Sequence, residues 1–502
     1  MIQLEDTICA PATSVGSGAI SVIRLSGPEA LAICDKVVSF KNGAAQSSEG
    51  YTLKYGEIPG VDQVIAGIFR APHSYTGEDS VEISCHASRF IAEKILSLLC
   101  DAGARLAEPG EFSRRAFLNG KMDLAQAEAV ADLISADTEA SHRIAINQLR
   151  GKYSGKLRDL RDKLIEIASL MELELDFSEE DVEFADRDKL RTLLDNASSE
   201  ISRLADSFKL GNAIKNGVPV AIAGAVNAGK STLLNALLGE DRAIVSDIPG
   251  TTRDTVEETL TLGGILFRFI DTAGLRDSSD AIEKIGIERS YASLAKAEVV
   301  ICVLDALSPL EESGKALADI ASRLSPSATV ILVRNKVDAF DAIAPEEFPT
   351  LDRSYGVLPL KYPAFGTYEL APQALTEKLA AILDDRLPAS SGWHFPKDYC
   401  ILDISARTGE GLDELRARLA ESRGILVSDN NATLVTNLRH YEALRAALDD
   451  LHRVRSGLSA GATGDLLAQD LRSAIYSLNS IFGEVSTEDI LKRIFERFCI
   501  GK

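Results

Sequence analysis

The stretch from Gly224 to Ser231, Gly-Ala-Val-Asn-Ala-Gly-Lys-Ser, constrains the fold more than any other part of the sequence. It follows an apolar run, Val218 to Ala223, that predicts a buried strand. It opens an apolar-rich run, Thr232 to Leu238, that predicts a helix ended by Gly239. A glycine loop between a strand and a helix is typical of phosphate binding, because its N–H groups and the positive helix N-terminus point at the anion. We therefore expect an α/β nucleotide-binding domain around this loop.

Two side chains of this loop have predicted roles. Lys230 is expected to reach the terminal phosphates, and the hydroxyl of Ser231 is a predicted Mg2+ ligand. The residues of the loop expected to contact the nucleotide are Asn227, Ala228, Gly229, Lys230, Ser231 and Thr232.

Further motifs follow in the order expected of a GTPase, each at the end of a predicted strand. A switch-like loop places Thr252 to coordinate Mg2+ when a γ-phosphate is bound. After a predicted strand, Leu266 to Ile270, Asp271 can hold Mg2+ through water and the Gly274 N–H can sense the γ-phosphate. The nucleotide contacts predicted here are Ser246, Asp247, Ile248, Pro249, Gly250, Thr251, Thr252, Asp271, Thr272, Ala273 and Gly274.

The last two motifs point to guanine. Asp338, after the predicted strand Val330 to Val333, can accept bonds from the N1–H and N2–H groups of guanine, a pair of donors that adenine lacks. A second predicted strand, Ile401 to Ile404, leads into the last base contact. The residues expected to contact the base are Asn335, Lys336, Val337, Asp338, Ser405, Ala406 and Arg407. The five motifs together predict that the nucleotide is GTP.

Hydrolysis by this domain requires an unusual set of groups. Leu275 stands where Ras-like proteins carry the glutamine that positions water, and a leucine cannot orient water. A monovalent cation such as K+ could neutralise the developing charge. The predicted ligands of that cation are Asn227, Ser246, Ile248 and Thr251. Glu283 is then the candidate for ordering the attacking water, the alternative being a solvated helix residue.

The nucleotide domain is predicted to interrupt a helical domain. Residues 1–118 alternate strand-like and helix-like runs, which indicates a small α+β domain. Apolar residues at helical spacing fill 119–214 and 425–502, on both sides of the nucleotide domain at 215–424. Three short C-terminal helices bury little core alone, so one discontinuous bundle is favoured over two separate bundles. The predicted fold class is multidomain α/β and α.

Charge and composition exclude some classes of function. The net charge of −21 argues against a surface that coats nucleic acid as a whole. Neither a long apolar stretch nor a signal-peptide pattern occurs, so we expect a cytoplasmic protein that does not associate with a membrane. The seven cysteines form no CxxC pair, so no zinc site or disulfide framework is indicated. Two local basic clusters fit either solvated helix faces or nucleic-acid contacts: Arg143, Arg150, Lys152, Lys156, Arg158, Arg161 and Lys163, and Arg439, Arg445, Arg453 and Arg455.

Taken together, these residues resemble the tRNA-modifying GTPases of the MnmE (TrmE) family, and the resemblance covers nearly the whole chain. Its most distinctive part is the terminal run Phe-Cys-Ile-Gly-Lys, residues 498–502. Outside the GTPase motifs it also rests on residues 6–8, 18–27, 74–79, 109–112, 115–119, 124–129 and 286–289.

The resemblance implies a homodimer formed through N-terminal domains that bind 5-formyl- or 5,10-methylene-tetrahydrofolate. It implies a flavin-dependent partner of the MnmG type, tRNA as the substrate, and addition of an aminomethyl or carboxymethylaminomethyl group to C5 of wobble uridine 34. K+-dependent dimerisation of the G domains would activate hydrolysis of GTP, and hydrolysis would drive opening and closing of the two G domains. The residues that fall at family folate contacts are Arg24, Glu82, Lys121 and Lys502, and those that match catalytic residues are Glu283 and Cys499.

Two features depart from the family pattern. Val226 stands where most such loops carry proline, a change that an extended backbone tolerates. The segment 339–397 is longer than a link between strands needs, and we interpret it as a tolerated surface insertion in preference to a lid or a partner surface.

Two other functions compete with this interpretation. A GTPase that assembles ribosomes or binds structural RNA usually appends a basic RNA-binding module, and the appended parts here are acidic. A folate-dependent aminomethyl transferase with a merely regulatory GTPase would act without GTP hydrolysis.

Overall fold

The computed structural model describes residues 6–14, 18–176, 187–239, 258–270, 293–325, 328–340, 372–386, 401–422, 433–460, 462–485, 488–496, 498 and 501. The chain divides into two units. The first unit comprises Met1–Ala136, His142–Asp206 and Asn437–Lys502, and the second comprises Asp137–Ser141 and Ser207–Thr436. None of the described helices is both long and apolar enough to cross a membrane.

The described strands and helices are numbered in chain order. The strands are β1 Ile8–Pro11, β2 Ile20–Ser26, β3 Ser39–Phe40, β4 Thr52–Ile58, β5 Asp62–Phe69, β6 Ser80–His86, β7 Arg105–Leu106, β8 Val218–Gly224, β9 Glu258–Leu262, β10 Ile265–Phe269, β11 Val299–Asp305, β12 Thr329–Asn335 and β13 Leu402–Asp403. The helices are α1 Ala30–Val37, α2 Arg89–Asp101, α3 Glu111–Leu118, α4 Leu124–Ile134, α5 Glu139–Leu149, α6 Lys152–Asp176, α7 Arg187–Asp206, α8 Phe208–Asn216, α9 Lys230–Leu238, α10 Leu310–Ala321, α11 Pro372–Arg386, α12 Leu412–Glu421, α13 Leu438–Ala460, α14 Gly464–Phe482 and α15 Glu488–Phe495.

A seven-stranded sheet occupies the N-terminal part of the first unit. Its strand order is β3-β4-β5-β6-β2-β1-β7, and every neighbouring pair is antiparallel except β1 and β7. Alternate residues such as Ile23 and Ile83 are buried in one core with residues of α1 and α2. Because side chains alternate along a strand, Arg24 and Glu82 lie on the opposite face of the sheet.

The helices of the first unit form one bundle that the second unit interrupts. Helix α14 packs against α4, α6 and α13, and α13 also packs against α7. The contact surfaces are the predicted apolar stripes, in which Leu160, Leu164, Leu444 and Leu451 are fully buried. Helix α4 begins with a capping box: the side chain of Asp123 accepts from the backbone N–H of Gln126, and the side chain of Gln126 accepts from the backbone N–H of Asp123. The prediction of a single discontinuous bundle is confirmed.

The C-terminal helix α15 lies against α3. Leu491, Phe495 and Phe498 form an apolar cluster with Leu124 and other residues near the start of α4. Farther along, the space beside Gly501 is filled by the carbonyl of Pro11, so that a side chain at this position would collide with the backbone of β1. The end of the chain therefore packs against the N-terminal sheet.

The second unit contains a six-stranded sheet of order β13-β12-β11-β8-β10-β9. All neighbours are parallel except the β9–β10 pair. Strands β11 and β12 are buried along almost their whole length, as expected of parallel strands covered on both faces. The predicted inserted α/β domain is confirmed.

Helix α11 corrects one interpretation of the sequence. Leu375, Leu379 and Leu383 are fully buried and pack with Val300 and Leu332 of the sheet. The interpretation of residues 339–397 as a surface insertion is therefore wrong for α11, which forms part of the domain core. Leucines spaced four apart were the signal for a helix. The length of the segment indicated an insertion instead.

The two ends of the second unit lie side by side. The backbone N–H of Val435 donates to the hydroxyl of Ser207 at 3.1 Å. Gly211 faces the carbonyl of Val435 so closely that a Cβ atom would not fit. The long segment of this unit, Ser207–Thr436, therefore begins and ends at one place.

Candidate functional site

The phosphate-binding loop predicted from the sequence connects β8 to α9. Asn227 and Gly229 both have left-handed backbone, with φ of +63° and +92°, and Gly229 caps the helix. A Cβ atom on Gly229 would overlap the side-chain amide of Asn335, and one on Gly224 would overlap the carbonyl of Val303. The two glycines are thus required for the loop to lie against β11 and β12.

The amine of Lys230 lies over this loop. Its Nζ donates to the carbonyls of Gly224 at 3.0 Å and Ala225 at 2.8 Å, and burial lowers the pKa of Lys230. Ser231 and Thr232 follow in the first turn of α9. A phosphate oxygen could accept from the same ammonium group, so the geometry fits an anion beside the helix N-terminus.

The predicted base-binding residues meet at the ends of β12 and β13. The side chain of Asn335 donates to the carbonyl of Ala228 at 2.9 Å and accepts from the backbone N–H of Ala406 at 2.9 Å. Lys336, with φ of +71°, places its Nζ 2.6 Å from a carboxylate oxygen of Asp305. Asn335 therefore ties the phosphate-binding loop to the loop that follows β13.

The carboxylate of Asp338 is oriented by the second of these loops. It accepts from the hydroxyl of Ser405 at 2.7 Å, and that hydroxyl accepts in turn from the backbone N–H of Thr408 at 3.1 Å. Val337 and Asp338 lie in a short 3-10 helix, Val337–Phe340, and Arg407 is exposed. One oxygen of Asp338 is held by the protein, so the carboxylate has a fixed direction.

A second group of predicted residues lies on the N-terminal sheet. Arg24 and Glu82 are cross-strand neighbours on β2 and β6, and two guanidinium nitrogens lie 2.9 and 2.8 Å from one oxygen of Glu82. Arg24 also donates to the carbonyl of Gly501 at 3.4 Å. Lys121 bonds elsewhere, to the carbonyl of Pro72 at 2.9 Å. The structure thus joins Arg24, Glu82 and the C-terminal segment.

Two aromatic rings beside Arg24 were missed by sequence reasoning. The guanidinium lies 5.3 Å from the ring centre of Tyr75 and 5.6 Å from that of Phe112. The hydroxyl of Tyr75 is hydrogen bonded to that of Ser113 at 2.7 Å. Tyr75 lies in the polar loop 73–79, and Phe112 ends the polar stretch 108–112 in the first turn of α3. An aromatic residue within each polar loop was the available signal.

A buried ion network holds the first of these loops. Arg115 donates to Glu78 at 3.2 Å, to Glu111 at 3.1 Å and to the side chain of Asp6 at 2.5 Å. Burial opposes ionisation of Glu111, yet hydrogen bonds from Arg105 and Arg115 outweigh it and lower the pKa of Glu111. The network fixes Tyr75 near Arg24 through the backbone of the loop.

At least six of the eleven residues in the two basic clusters form ion pairs with carboxylates. The pairs of the first cluster are Arg158–Asp123, Arg161–Glu484, Arg161–Asp162 and Lys163–Glu200. Those of the second are Arg439–Glu128, Arg453–Asp450, Arg453–Asp470 and Arg455–Asp195. Pairing reduces the charge that these six residues offer to phosphates.

Several predicted residues lie outside the described residues. They are Ser246, Asp247, Ile248, Pro249, Gly250, Thr251, Thr252, Asp271, Thr272, Ala273, Gly274, Glu283, Cys499 and Lys502. Their roles stay predictions. In the part of the chain that is described, no three His, Cys, Asp or Glu side chains group as a metal site would require.

Two family models and several known proteins match this chain. Residues 124–499 match the family model for the MnmE helical domain, and residues 7–121 match that for the GTP-binding protein TrmE N-terminus. The tRNA modification GTPase MnmE of Parabacteroides distasonis is 47% identical over 99% of this chain and 100% of its own length. That of Flavobacterium johnsoniae is 45% identical over 99% of each chain.

Among solved structures, the G domain of the T. maritima FeoB iron transporter matches 41% of this chain and 97% of its own length. It is 26% identical with a TM-score of 0.24, which is too low to bear on the assignment. The family model for the helical domain covers most of the sequence, and relatives almost half identical align from end to end. This chain therefore belongs to the MnmE (TrmE) family and is a GTP-hydrolysing tRNA modification enzyme.

Proposed function

We propose that this enzyme adds an aminomethyl or carboxymethylaminomethyl group to C5 of wobble uridine 34, together with a flavin-dependent partner of the MnmG type. A 5-formyl- or 5,10-methylene-tetrahydrofolate would be the one-carbon donor, and the reaction would take place in the cytoplasm. The observation that supports this most directly is the contact of Arg24 with Glu82 and with the carbonyl of Gly501. Lys502 follows Gly501 directly in the sequence, and Cys499 lies two residues before it.

Arg24 and its neighbours fit a folate. A folate carries a carboxylate-bearing tail that a guanidinium pairs with, and a donor-rich pterin edge that suits Glu82. The rings of Tyr75 and Phe112 lie beside Arg24 and offer apolar faces to a planar ligand. Lys121 and Lys502 would add positive charge for the tail. When bound, the folate would supply the one-carbon unit.

Binding of 5-formyltetrahydrofolate tests this site. Arg24→Ala and deletion of Lys502 should both weaken binding strongly in an equilibrium titration. Arg89→Ala, which removes an exposed arginine paired with Glu93 on α2, is the matched control and should bind normally. Unchanged affinity in Arg24→Ala would exclude this site.

In the second unit, we propose that GTP is held by the predicted residues of the two loops, with guanine at Asp338 and the phosphates at Lys230. Ser231 and Thr252 would ligate Mg2+, which would neutralise phosphate charge. Asn227 is exposed and in left-handed backbone, so its neutral amide oxygen is available to K+. The further K+ ligands would be Ser246, Ile248 and Thr251, and Glu283 would order the attacking water.

Turnover of GTP in KCl and in NaCl tests the cation. We expect a large stimulation by K+ that is lost in Asn227→Ala. Asn216→Ala, at the exposed end of α8, is the control and should keep the stimulation. Equal rates in the two salts would refute the proposed K+ site.

We also propose a homodimer formed through the N-terminal sheet. The face that bears Arg24 also bears Ile20, Leu53, Tyr55 and Ile65, which by register and alternation point the same way. These apolar side chains are exposed, Leu53 at 76%. An exposed apolar patch of this kind marks an association surface. Light scattering of Leu53→Lys with Ile65→Lys should show a monomer; a persistent dimer would place the interface elsewhere.

The domain boundaries that accompany this proposal are 1–118 for folate binding and dimerisation, 119–214 and 425–502 for the helical domain, and 215–424 for the G domain. Analysis of wobble uridines in tRNA from cells that lack this protein tests the whole proposal, since loss of the C5 substituent is expected.

A further inference from the structure

The edge strand β13 is joined to the sheet by two residue pairs, Val333 with Leu402 and Arg334 with Asp403. It leads directly into Ser405 and Ala406, which contact the predicted base-binding side chains. A strand this short is held by little backbone pairing. Any other contact that fixes β13 therefore also fixes the loop behind it.

The side chains of Arg334 and Asp403 supply such a contact. The guanidinium Nε and Nη2 lie 2.6 Å from Oδ1 and 2.6 Å from Oδ2 of Asp403, in parallel. Arg334 is only 5% exposed. The side chain of Asp403 is 38% exposed. A fork of this kind is directional, so it adds geometric specificity to the pairing. The pair therefore defines the position of β13 relative to β12.

The path from this pair to the base loop is short. The N–H of Ile404 donates to the carbonyl of Arg334 at 2.9 Å, Ser405 donates to Asp338, and Ala406 donates to Asn335. A shift of β13 along β12 would move all three donors together. It would change the direction of the Asp338 carboxylate.

We propose that the Arg334–Asp403 pair is a positioning element that sets the specificity of this enzyme for guanine. The pair keeps β13 in register, so that Ser405 holds Asp338 in line with the base. This inference rests on the proposed role of Asp338 as the acceptor for guanine. Neither Arg334 nor Asp403 needs to touch the nucleotide.

Comparison of GDP with IDP tests the proposal, because inosine lacks the 2-amino group that Asp338 would accept from. Dissociation constants of both nucleotides are measured for the wild type, for Asp403→Asn and for the double variant Arg334→Met with Asp403→Leu. The double variant replaces both charges with apolar groups, so that the buried position 334 is not left with an unpaired charge. Arg323→Met, which removes a surface arginine paired with Asp319 in the same unit, is the control.

We expect the preference for GDP over IDP to fall about tenfold in both pair variants, which corresponds to the loss of one well-oriented contact. Arg323→Met should keep the wild-type preference for GDP over IDP. In the two pair variants, kcat at saturating GTP should stay within about twofold of the wild-type value. A double variant with the wild-type circular dichroism spectrum and the wild-type preference would overturn the proposal. Equal weakening of both nucleotides would do the same, since it indicates a structural role alone. If Asp338→Ala keeps the full preference, the assignment of Asp338 fails first, and the role of the pair with it.

Discussion

A buried carboxylate at the centre of the helical bundle gives the sharpest prediction. Glu128 on α4 accepts from Arg439 at 3.0 and 2.9 Å and lies 2.6 Å from Nε2 of His440. Burial alone would raise the pKa of Glu128, but the charges of His440 and Arg439 outweigh it and lower the pKa to about 2. The side chain is thus held ionised inside the bundle.

The magnitude follows from linkage between protonation and folding. The shift of the Glu128 pKa from 4.5 to about 2 corresponds to about 3 kcal/mol of stability at neutral pH. Removal of one partner from a buried ion pair costs a similar amount, about 3–5 kcal/mol. We therefore expect Glu128→Gln to lower the free energy of unfolding of the bundle by about 3 kcal/mol at pH 7.

The sign of the pH dependence is also fixed. A lowered carboxyl pKa stabilises the folded state above pH 4.5, and this stabilisation is lost as the pH falls towards 2. The difference in the free energy of unfolding between wild type and Glu128→Gln should therefore become smaller below pH 4.5, because protonated Glu128 has lost the charge that the glutamine also lacks.

Hydrogen exchange measures this difference in the full chain. It reports the opening of α13 and α14 separately, whereas a chain of two units does not melt in a single step. Glu442→Gln, at an exposed position of α13, is the control and should match the wild type. A difference below about 1 kcal/mol at pH 7, or one that does not change with pH, would refute the reasoning.

Three further changes have defined outcomes. Among the described residues the buried hydroxyl of Tyr153 has no hydrogen-bond partner, so Tyr153→Phe should leave the free energy of opening of α6, measured by hydrogen exchange, unchanged or raise it by about 1 kcal/mol; marked destabilisation would contradict this. Gly229→Ala should abolish binding of a fluorescent GDP analogue without changing the circular dichroism spectrum, because its Cβ meets Asn335; retained binding would disprove the loop geometry. Gly501→Ala should weaken 5-formyltetrahydrofolate binding about tenfold while Gly155→Ala does not, since only the first meets backbone; equal affinities would argue against a role for the C-terminal segment.

Much of the nucleotide unit could be predicted from the sequence, because its signals are local. The phosphate-binding loop requires glycines, a lysine and flanking apolar runs, all of which lie between Val218 and Leu238, and β8 and α9 form where these signals placed them. The helical bundle was equally accessible, since its leucines recur at the period of a helix. Signals within one short segment of the sequence are sufficient in both cases.

Contacts between distant residues were not accessible in this way. The pairing of Arg24 with Glu82 depends on the register of β2 and β6, and that of Arg334 with Asp403 on the register of β12 and β13. A shift of one residue would turn each side chain to the other face of the sheet. No spacing within one segment of the chain determines such a register, so resemblance could suggest Arg24 and Glu82 while their ion pair emerged only from the fold.

The hydrogen bond between Val435 and Ser207 has a consequence for how this architecture can be altered. Since the departing and returning chain are only one such bond apart, a bridge of a few residues could close the gap that excision of the G domain would leave. Any foreign domain with equally adjacent termini could be spliced into the same place without stretching α7 or α13. The insertion of a domain at this point therefore depends on a single junction, at Ser207 and Val435.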